Sequence, residues 1–364
     1  MVFSTENYID VLTKSKLEAK PVVYMFYATW CSHCNKMKKD LLPDPTVVEF
    51  LKKNFVCVWQ DVEKDEGPAL SKKYGVRAYP TFAVIDNSGE LLYSFSGEFQ
   101  SETFIKELEY SLDSSKQFPY LKKQFYADTT NGDKCYAYVA ALRKSGRDAS
   151  EPATVYLSQL SESQLVSSLN WKIIANGVRD ISSREFQYVL HNQEAFANVA
   201  SPIRVERKIL NIVSESLQPY ADALDTLNYK KFRIAAKNVQ LKKTDSLVFK
   251  YDRTIYERSK NWKSYDQSVA ESVKLVWESP SELNDIADVY LKNITAKPAL
   301  DKAIQMATRS SELKESKTTY LLLAKLELKV GNKKASQNWA QKAKALALSY
   351  GWETNEEDEI LKQI

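Results

Sequence analysis

The stretch YATWCSHCNKMKK, residues 27–39, places two cysteines three positions apart, with a histidine between them and a tryptophan before them. The whole chain contains only four cysteines and two histidines, so three of these six scarce residues fall within four positions. Such a cluster is compatible with a zinc site, a pair of buried structural cysteines or a redox centre.

The cysteine pair follows a predicted strand directly. Residues 21–28, PVVYMFYA, form a continuous apolar run typical of a buried central strand. Three more β-rich segments follow, the last two joined by the turn signal NSG: FVCVWQDV (55–62), TFAVID (81–86) and ELLYSFS (90–96). The pattern predicts a compact α/β layer.

Helical signals alternate with these strands. Ile9, Leu12 and Leu17 have the spacing of one apolar helix face. Other helix boundaries are indicated by capping residues: Asp44 followed by Pro45, Gly75 after a helix end, and Ser101 before the last helix of this region.

This order of elements resembles the thioredoxin fold over residues of about 5–113. The resemblance rests on WCSHC between strand and helix, on YGVRAYPTF (74–82) and on Gly97 before the last helix. The segments LLPDPTVVEFL (41–51) and YGVRAYPTFAVIDNSGELL (74–92) are especially similar to DsbD C-terminal domains and related thioredoxin-like domains of bacterial envelope proteins. The resemblance implies a thioredoxin domain at residues 1–113, with a central mixed β-sheet flanked by helices.

A redox reading assigns roles to the CSHC segment. A thiol attacks only as thiolate, and a helix N-terminus together with a protonated His33 would lower the pKa of Cys31. Cys31 is therefore the expected nucleophile, and Cys34, one turn further on, is expected to resolve the mixed disulfide. His33 favours an oxidising couple, whereas the similarity to DsbD implies a reductant. The reaction needs no cofactor and no metal.

A second part of the site is implied by the resemblance alone. Pro80 is expected to be a cis proline that faces the cysteine pair, with Tyr79 before it. An extended substrate could then pair with the exposed backbone of Tyr79. Trp30 completes the expected substrate-binding residues.

The sequence also departs from ordinary thioredoxins. A buried Asp of the central strand is replaced by Met25, and a nearby Lys is replaced by Trp59. The proton acceptor for Cys34 is therefore missing or replaced. Glu63 or Asp61 could act through water, although acidic residues at a strand end are usually solvated.

The other scarce residues favour structural roles. A zinc site built on CSHC lacks an evident fourth ligand. Cys57 is expected in the core of a strand. Cys135 is expected to be a core residue on a helix, with a regulatory thiol as the alternative. His191 is expected to be a surface or packing residue.

From about residue 115 the strand signals give way to amphipathic helices. SSKQFP (114–119) is typical of a linker, so residues 114–364 are predicted to form an all-helical domain. From about residue 250 paired helices resemble tetratricopeptide (TPR) repeats, with fitting positions at Tyr320, Leu323, Ala324, Gly331 and Ala343. Such a stack would form a peptide-binding groove, or else a cap that only packs on the redox domain.

Composition limits the function classes. The 364 residues favour two or three domains. A net charge of +4 without a clustered basic face does not indicate nucleic-acid binding. No apolar segment is long enough to span a membrane. Residues 1–10 lack a signal-peptide pattern. The expected location is the periplasm or cell envelope after removal of a signal, as the resemblance favours, or otherwise the cytoplasm.

Two hypotheses follow. The first is a thiol–disulfide oxidoreductase that exchanges disulfides with protein or peptide thiols and with a redox partner protein, the helical domain selecting the substrate or partner. The second is a TPR-like adaptor or chaperone-type binder that uses the thioredoxin fold as a docking module. The first is favoured, since the second leaves the intact CSHC segment unexplained.

Overall fold

The computed structural model describes residues 2–364. Its strands are β1 (Phe3–Ser4), β2 (Val22–Tyr27), β3 (Val56–Asp61), β4 (Thr81–Ile85) and β5 (Leu91–Ser96). The helices around them are α1 (Tyr8–Glu18), α2 (Ser32–Lys36), α3 (Pro45–Asn54), α4 (Gly67–Tyr74) and α5 (Ser101–Leu112). A π-helical turn, Met37–Leu41, follows α2 directly.

The five strands form one mixed sheet in the order β1-β3-β2-β4-β5. Strands β1, β3 and β2 are parallel, whereas β4 is antiparallel to both β2 and β5. Strand β2 lies at the centre because it is apolar on both faces, and its residues 22–26 are completely buried. The predicted mixed sheet flanked by helices is confirmed, and the cysteines follow the end of its central strand.

The sheet has one strand more than the sequence indicated. Phe3 and Ser4 pair in parallel with Cys57 and Val58 at the edge of the sheet. A strand of two residues is too short to show the alternating pattern of a β-strand. It can therefore be recognised only from its pairing with β3.

Helix α1 forms where the sequence predicted it, but its expected apolar face was wrong. Val11 and Ser15 are its buried positions, whereas Ile9 and Leu17 are exposed. Ser15 can be buried because its hydroxyl donates to the carbonyl of Lys20, which satisfies the polar group.

Two of the predicted helix boundaries match the structure, and the third differs. Asp44 caps α3 by accepting from its first backbone N–H groups, with Pro45 at the first helical position, as predicted. Gly75 ends α4 with φ of 68°. Ser101 is not the cap of α5, because Gln100 holds that position. The Ser101 hydroxyl instead donates to Asp44 at 2.8 Å and thereby joins the two helices.

Only helices follow β5 in the described part of the chain, which confirms the predicted all-helical region. They are α6 (Phe118–Ala127), α7 (Gly132–Lys144), α8 (Ser150–Leu157), α9 (Glu162–Leu165), α10 (Ser168–Gly177), α11 (Arg184–His191), α12 (Gln193–Val199), α13 (Pro202–Asp222), α14 (Thr226–Lys237), α15 (Lys242–Arg258), α16 (Trp262–Ser272), α17 (Pro280–Asn293), α18 (Lys297–Leu313), α19 (Lys317–Lys329), α20 (Lys333–Ser349) and α21 (Asn355–Lys362). Short 3₁₀ turns lie at Ser114–Lys116 and Val273–Val276.

The chain divides into two compact units, of which the first ends at Lys208 and the second runs from Ile209 to Ile364. Within the first unit, helices α6 and α7 pack on the sheet domain. The ring of Phe118 stacks on Tyr93 of β5 at 6.3 Å, and Lys144 lies 2.7 Å from Glu107 of α5. The domain boundary expected after residue 113 therefore stays a prediction.

The second unit contains a buried polar network. Asp252 has no exposed side-chain surface and accepts hydrogen bonds from Tyr229, Arg233 and Ser268, each at 2.7 Å. These partners come from α14 and α16, so a single carboxylate of α15 joins three helices. A buried charge of this kind is tolerated because it is both paired and hydrogen-bonded.

Helices α19 and α20 form a hairpin in the same unit. Gly331, with φ of 86°, supplies the left-handed residue in the turn, and Asn332 caps α20. The rings of Tyr320 and Trp339 stack between the two helices at 5.5 Å. Within residues 2–364, no helix is both long and apolar enough to cross a membrane.

Candidate active site

The turn after β2 places Cys31 at the start of a helix. Its backbone N–H donates to the carbonyl of Ala28, and its own carbonyl accepts from Asn35. Cys31 is thus the N-cap residue of α2, as the strand–helix junction predicted. The helix has no β-branched residue, and the π-helical turn that follows extends it to Leu41.

Cys31 and Cys34 are joined by a disulfide bond, with their Cα atoms 5.3 Å apart. The backbone N–H of Cys34 donates to the Cys31 sulfur at 3.1 Å. Cys31 keeps 6% of its surface exposed and Cys34 keeps none. Cys31 is thus nearly buried, but it is the more exposed cysteine of the pair. The arrangement can undergo thiol–disulfide exchange, and the N–H of Cys34 can stabilise a Cys31 thiolate.

His33 points away from the core and has a carboxylate partner. Its side chain is 66% exposed, and its Nδ1 lies 2.8 Å from Oε2 of Glu98. The other carboxylate oxygen of Glu98 pairs with Lys36, one turn along the same helix. Hydrogen bonds from Lys36 and His33 hold the pKa of Glu98 below its ordinary value. The positive charges of α2 therefore face a compensating anion.

Trp30, directly before Cys31, contacts the ring of Tyr79, the residue before Pro80. The ring centroids of Trp30 and Tyr79 lie 6.0 Å apart in an edge-to-face arrangement, and the Tyr79–Pro80 peptide bond is cis. Trp30 is 68% exposed, although its indole N–H donates to Glu63 at 3.0 Å. Of the three side chains, Trp30 is exposed, Tyr79 is half-buried and Pro80 is buried.

Met25 is completely buried and lies opposite Trp59 of β3 in the sheet register. No carboxylate thus occupies the position of the usual buried acid. Lys38, in the π-helical turn, instead extends its ammonium group over the rings of Tyr27 at 3.1 Å and Trp59 at 4.6 Å. Burial lowers the pKa of Lys38. Asp61 accepts from the backbone N–H of Glu63 and is not simply a solvated strand-end residue.

The other scarce residues lie apart from this site. Cys57 and Cys135 are buried free thiols, and burial raises the pKa of each to about 12. His191 ends α11, is exposed, and bonds through Nδ1 to the carbonyl of Gln187. The described residues contain no cluster of three potential metal ligands.

Glu98 is the site residue that the sequence reasoning missed. It follows Gly97 in the loop before α5, sixty-five positions from His33. No local pattern marks it, because its role depends on a contact between β5's end and α2. The only signal near it in the sequence was Gly97, on which the resemblance partly rests.

Comparisons with known proteins agree with this geometry. A family model described as a thioredoxin-like domain matches residues 10–112. Thioredoxin Y2 of Arabidopsis thaliana is 38% identical over 106 residues, which cover 29% of this chain and 58% of that protein. Protein disulfide-isomerase of Ricinus communis is 21% identical over 183 residues, which cover 50% of this chain and 36% of that protein. The chain thus spans less than two thirds of either curated relative.

Two solved structures are also similar. A putative disulphide-isomerase from Bacteroides thetaiotaomicron is 32% identical, with a TM-score of 0.30, covering 31% of this chain and 94% of that one. The DsbD C-terminal domain of Neisseria meningitidis in its oxidised form is 30% identical, with a TM-score of 0.25, covering 28% of this chain and 88% of that one.

Proposed function

The N-terminal domain of this chain, residues 10–112, belongs to the thioredoxin-like family, and on that premise we propose that the protein is a thiol–disulfide oxidoreductase. The observation that carries the proposal is the bond between Cys31 and Cys34 at the start of α2. A pair that closes within one helical turn can pass its disulfide to a partner without unfolding the domain.

The proposed reaction proceeds in two exchanges. The thiolate of Cys31 attacks a sulfur of the substrate disulfide, forming a mixed disulfide and releasing one substrate thiolate. The Cys34 thiolate then attacks the Cys31 sulfur, which re-forms the intramolecular bond and releases the second substrate thiol. The substrate gains two electrons and the protein dithiol loses two. The reverse sequence oxidises a substrate dithiol.

The surroundings of the sulfurs support these separate roles. Cys31 retains some exposed surface and accepts the N–H of Cys34, whereas Cys34 is completely buried. The exposed ring of Trp30 and the half-buried ring of the adjacent Tyr79, the residue before the buried Pro80, offer a contact surface for the substrate chain. We expect the partners to be protein or peptide thiols and disulfides. A location in the cell envelope, expected from the resemblance to envelope proteins, belongs to the same proposal.

The helical region is proposed to select the substrate or partner. The hairpin of α19 and α20, with Gly331 in its turn and Ala343 buried, supports a TPR-like arrangement in this part. Tyr350 and Trp352, both exposed, stack on each other at 4.8 Å and offer an apolar surface for a peptide. Replacing both by Ala should weaken turnover of a protein disulfide more than that of a small aryl disulfide.

The central test is insulin reduction by the full chain with dithiothreitol as electron donor. We expect the wild type to accelerate the reaction and Cys31→Ser to abolish the acceleration. Reduced Cys34→Ser, mixed with insulin after dithiothreitol has been removed, should accumulate the mixed disulfide. A wild-type rate no higher than that of Cys31→Ser would remove this proposal. It would leave the alternative of a helical adaptor that uses the thioredoxin fold for docking.

A further inference from the structure

The loop between β5 and α5 touches two other elements of the site. The backbone N–H of Gly97 donates to the carbonyl of Pro80 at 2.9 Å, and that of Phe99 donates to the Met37 sulfur at 3.3 Å. Gly97 has φ of 118°, a conformation that favours glycine. Glu98, between these two anchored residues, is therefore fixed beside α2.

The carboxylate of Glu98 is more enclosed than either of its partners. Its side chain is 25% exposed, whereas those of His33 and Lys36 are each more than half exposed. Their hydrogen bonds lower the pKa of Glu98, so it is ionised near neutral pH. An ionised carboxylate only accepts hydrogen bonds, so Nδ1 of His33 carries a proton in this contact.

We propose that Glu98 is a positioning residue that offsets the positive charge of His33 and Lys36 and thereby lowers the reduction potential of the Cys31–Cys34 couple. The inference rests on the proposed function and deepens it. A cation near Cys31 stabilises the thiolate and hence the reduced form, which makes a couple more oxidising. An anion bonded to those cations acts in the opposite direction.

Two acidic residues act on the basic side chains of α2. His33 and Lys36 contact Glu98 directly, and Asp40 adds a negative field at Lys36. The histidine of the CSHC segment would by itself favour an oxidant. With Glu98 in place its charge is compensated, so the same segment is compatible with a reductant.

The test is the equilibrium of the full chain with glutathione. Two glutathione molecules reduce the Cys31–Cys34 bond, giving the dithiol and one glutathione disulfide, and alkylation with mass spectrometry reads the oxidised fraction. We expect Glu98→Gln to raise the equilibrium constant for reduction about threefold, which is about 14 mV for a two-electron couple. The Cys31 thiolate absorbance should also titrate at lower pH. Glu102→Gln, an exposed residue of α5, is the control with the same charge change.

Testing Glu98→Gln in a chain that lacks both basic partners distinguishes charge compensation from local distortion. In a chain that already carries His33→Asn and Lys36→Gln, Glu98→Gln should shift the constant by much less than threefold. The inference would be overturned if Glu98→Gln left the potential unchanged or shifted it in the opposite direction. It would also be overturned by an equal shift in Glu102→Gln or by an undiminished shift in the double-variant background. Failure of the wild type to reduce insulin would count against the proposed function alone, because the glutathione equilibrium needs no protein substrate.

Discussion

The indole N–H of Trp30 donates a hydrogen bond to the carboxylate of Glu63 at 3.0 Å, although the Trp30 ring is largely exposed. An exposed tryptophan in water samples several rotamers, and a charged acceptor restricts that freedom. Glu63, two residues after the end of β3, thus restrains the Trp30 ring beside Tyr79.

Loss of this acceptor should weaken recognition of protein substrates. We expect Glu63→Ala to lower kcat/KM for insulin about two- to tenfold, since a typical protein hydrogen bond contributes about 0.5–1.5 kcal/mol net. Trp30→Ala should lower it further. Turnover of a small aryl disulfide should change little, because such a substrate does not need the aromatic surface.

Steady-state kinetics with both substrates provide the measurement. Glu49→Ala, an exposed carboxylate on α3, is the matched control and should behave as wild type. If Glu63→Ala slowed both substrates equally, Glu63 would act on the sulfur chemistry and the orienting role would be wrong.

Cys57 and Cys135 should be inert in the folded protein. Burial raises the pKa of each thiol to about 12, so at pH 8 only about one molecule in ten thousand carries the reactive thiolate. The thiol of Cys135 also points to the carbonyl of Pro152 at 3.6 Å. We therefore expect the oxidised native protein to release no chromophore with an aryl disulfide reagent.

Unfolding the oxidised protein in guanidinium should expose two thiols, since the chain has two free cysteines and one disulfide. The double variant Cys57→Ser, Cys135→Ser should give none in either condition. Rapid reaction of Cys135 in the native wild type would support the regulatory-thiol alternative instead.

The parts of the structure that the sequence predicted are those fixed by local chemistry. The continuous apolar run of β2 is buried on both faces only at the centre of a sheet. Asp44 accepts hydrogen bonds from the unpaired first N–H groups of a helix, and Pro45 suits its first position. The two cysteines likewise lie within one turn, so their spacing alone brings them together. Each of these features depends on neighbours a few positions away.

The parts that were missed depend on contacts between distant segments. The short strand at Phe3 exists only because β3 offers an edge for pairing. The buried face of α1 includes Ser15, whose hydroxyl is satisfied by a backbone carbonyl that an apolar pattern does not register. Glu98 meets His33 only after β5 has joined the sheet. Sequence periodicity carries no information on such pairings.

The buried network around Asp252 should control the stability of the second unit. Asp252→Ala leaves Arg233, Tyr229 and Ser268 without their common acceptor, and we expect the free energy of unfolding to fall by about 3–5 kcal/mol, as for other broken buried ion pairs. Tyr229→Phe removes one donor and should cost only about 1 kcal/mol. Urea unfolding followed by circular dichroism measures both. Equal costs for the two variants would contradict a central role for the carboxylate.

We expect the folded protein to become more stable when the charge of Glu327, in α19, is removed, and the size of this gain to depend on pH. Burial raises its pKa above the ordinary value, against a hydrogen bond from Asn332 that lowers it. A carboxyl whose folded pKa exceeds its unfolded pKa binds protons more tightly when folded. Its contribution is therefore fully present below the unfolded pKa and is lost as the pH rises through the folded pKa.

Glu327→Gln keeps the side chain neutral at every pH while preserving its size. We expect the variant to melt about 1–2 °C above wild type at pH 7, which corresponds to less than about 1 kcal/mol because solvent reaches part of the carboxylate. The difference should disappear below about pH 4, where the wild-type carboxyl is protonated as well. Glu359→Gln, an exposed residue on α21, should show no such trend in calorimetry. A stabilisation that persisted unchanged at low pH would mean that packing, and not the charge of Glu327, sets the difference.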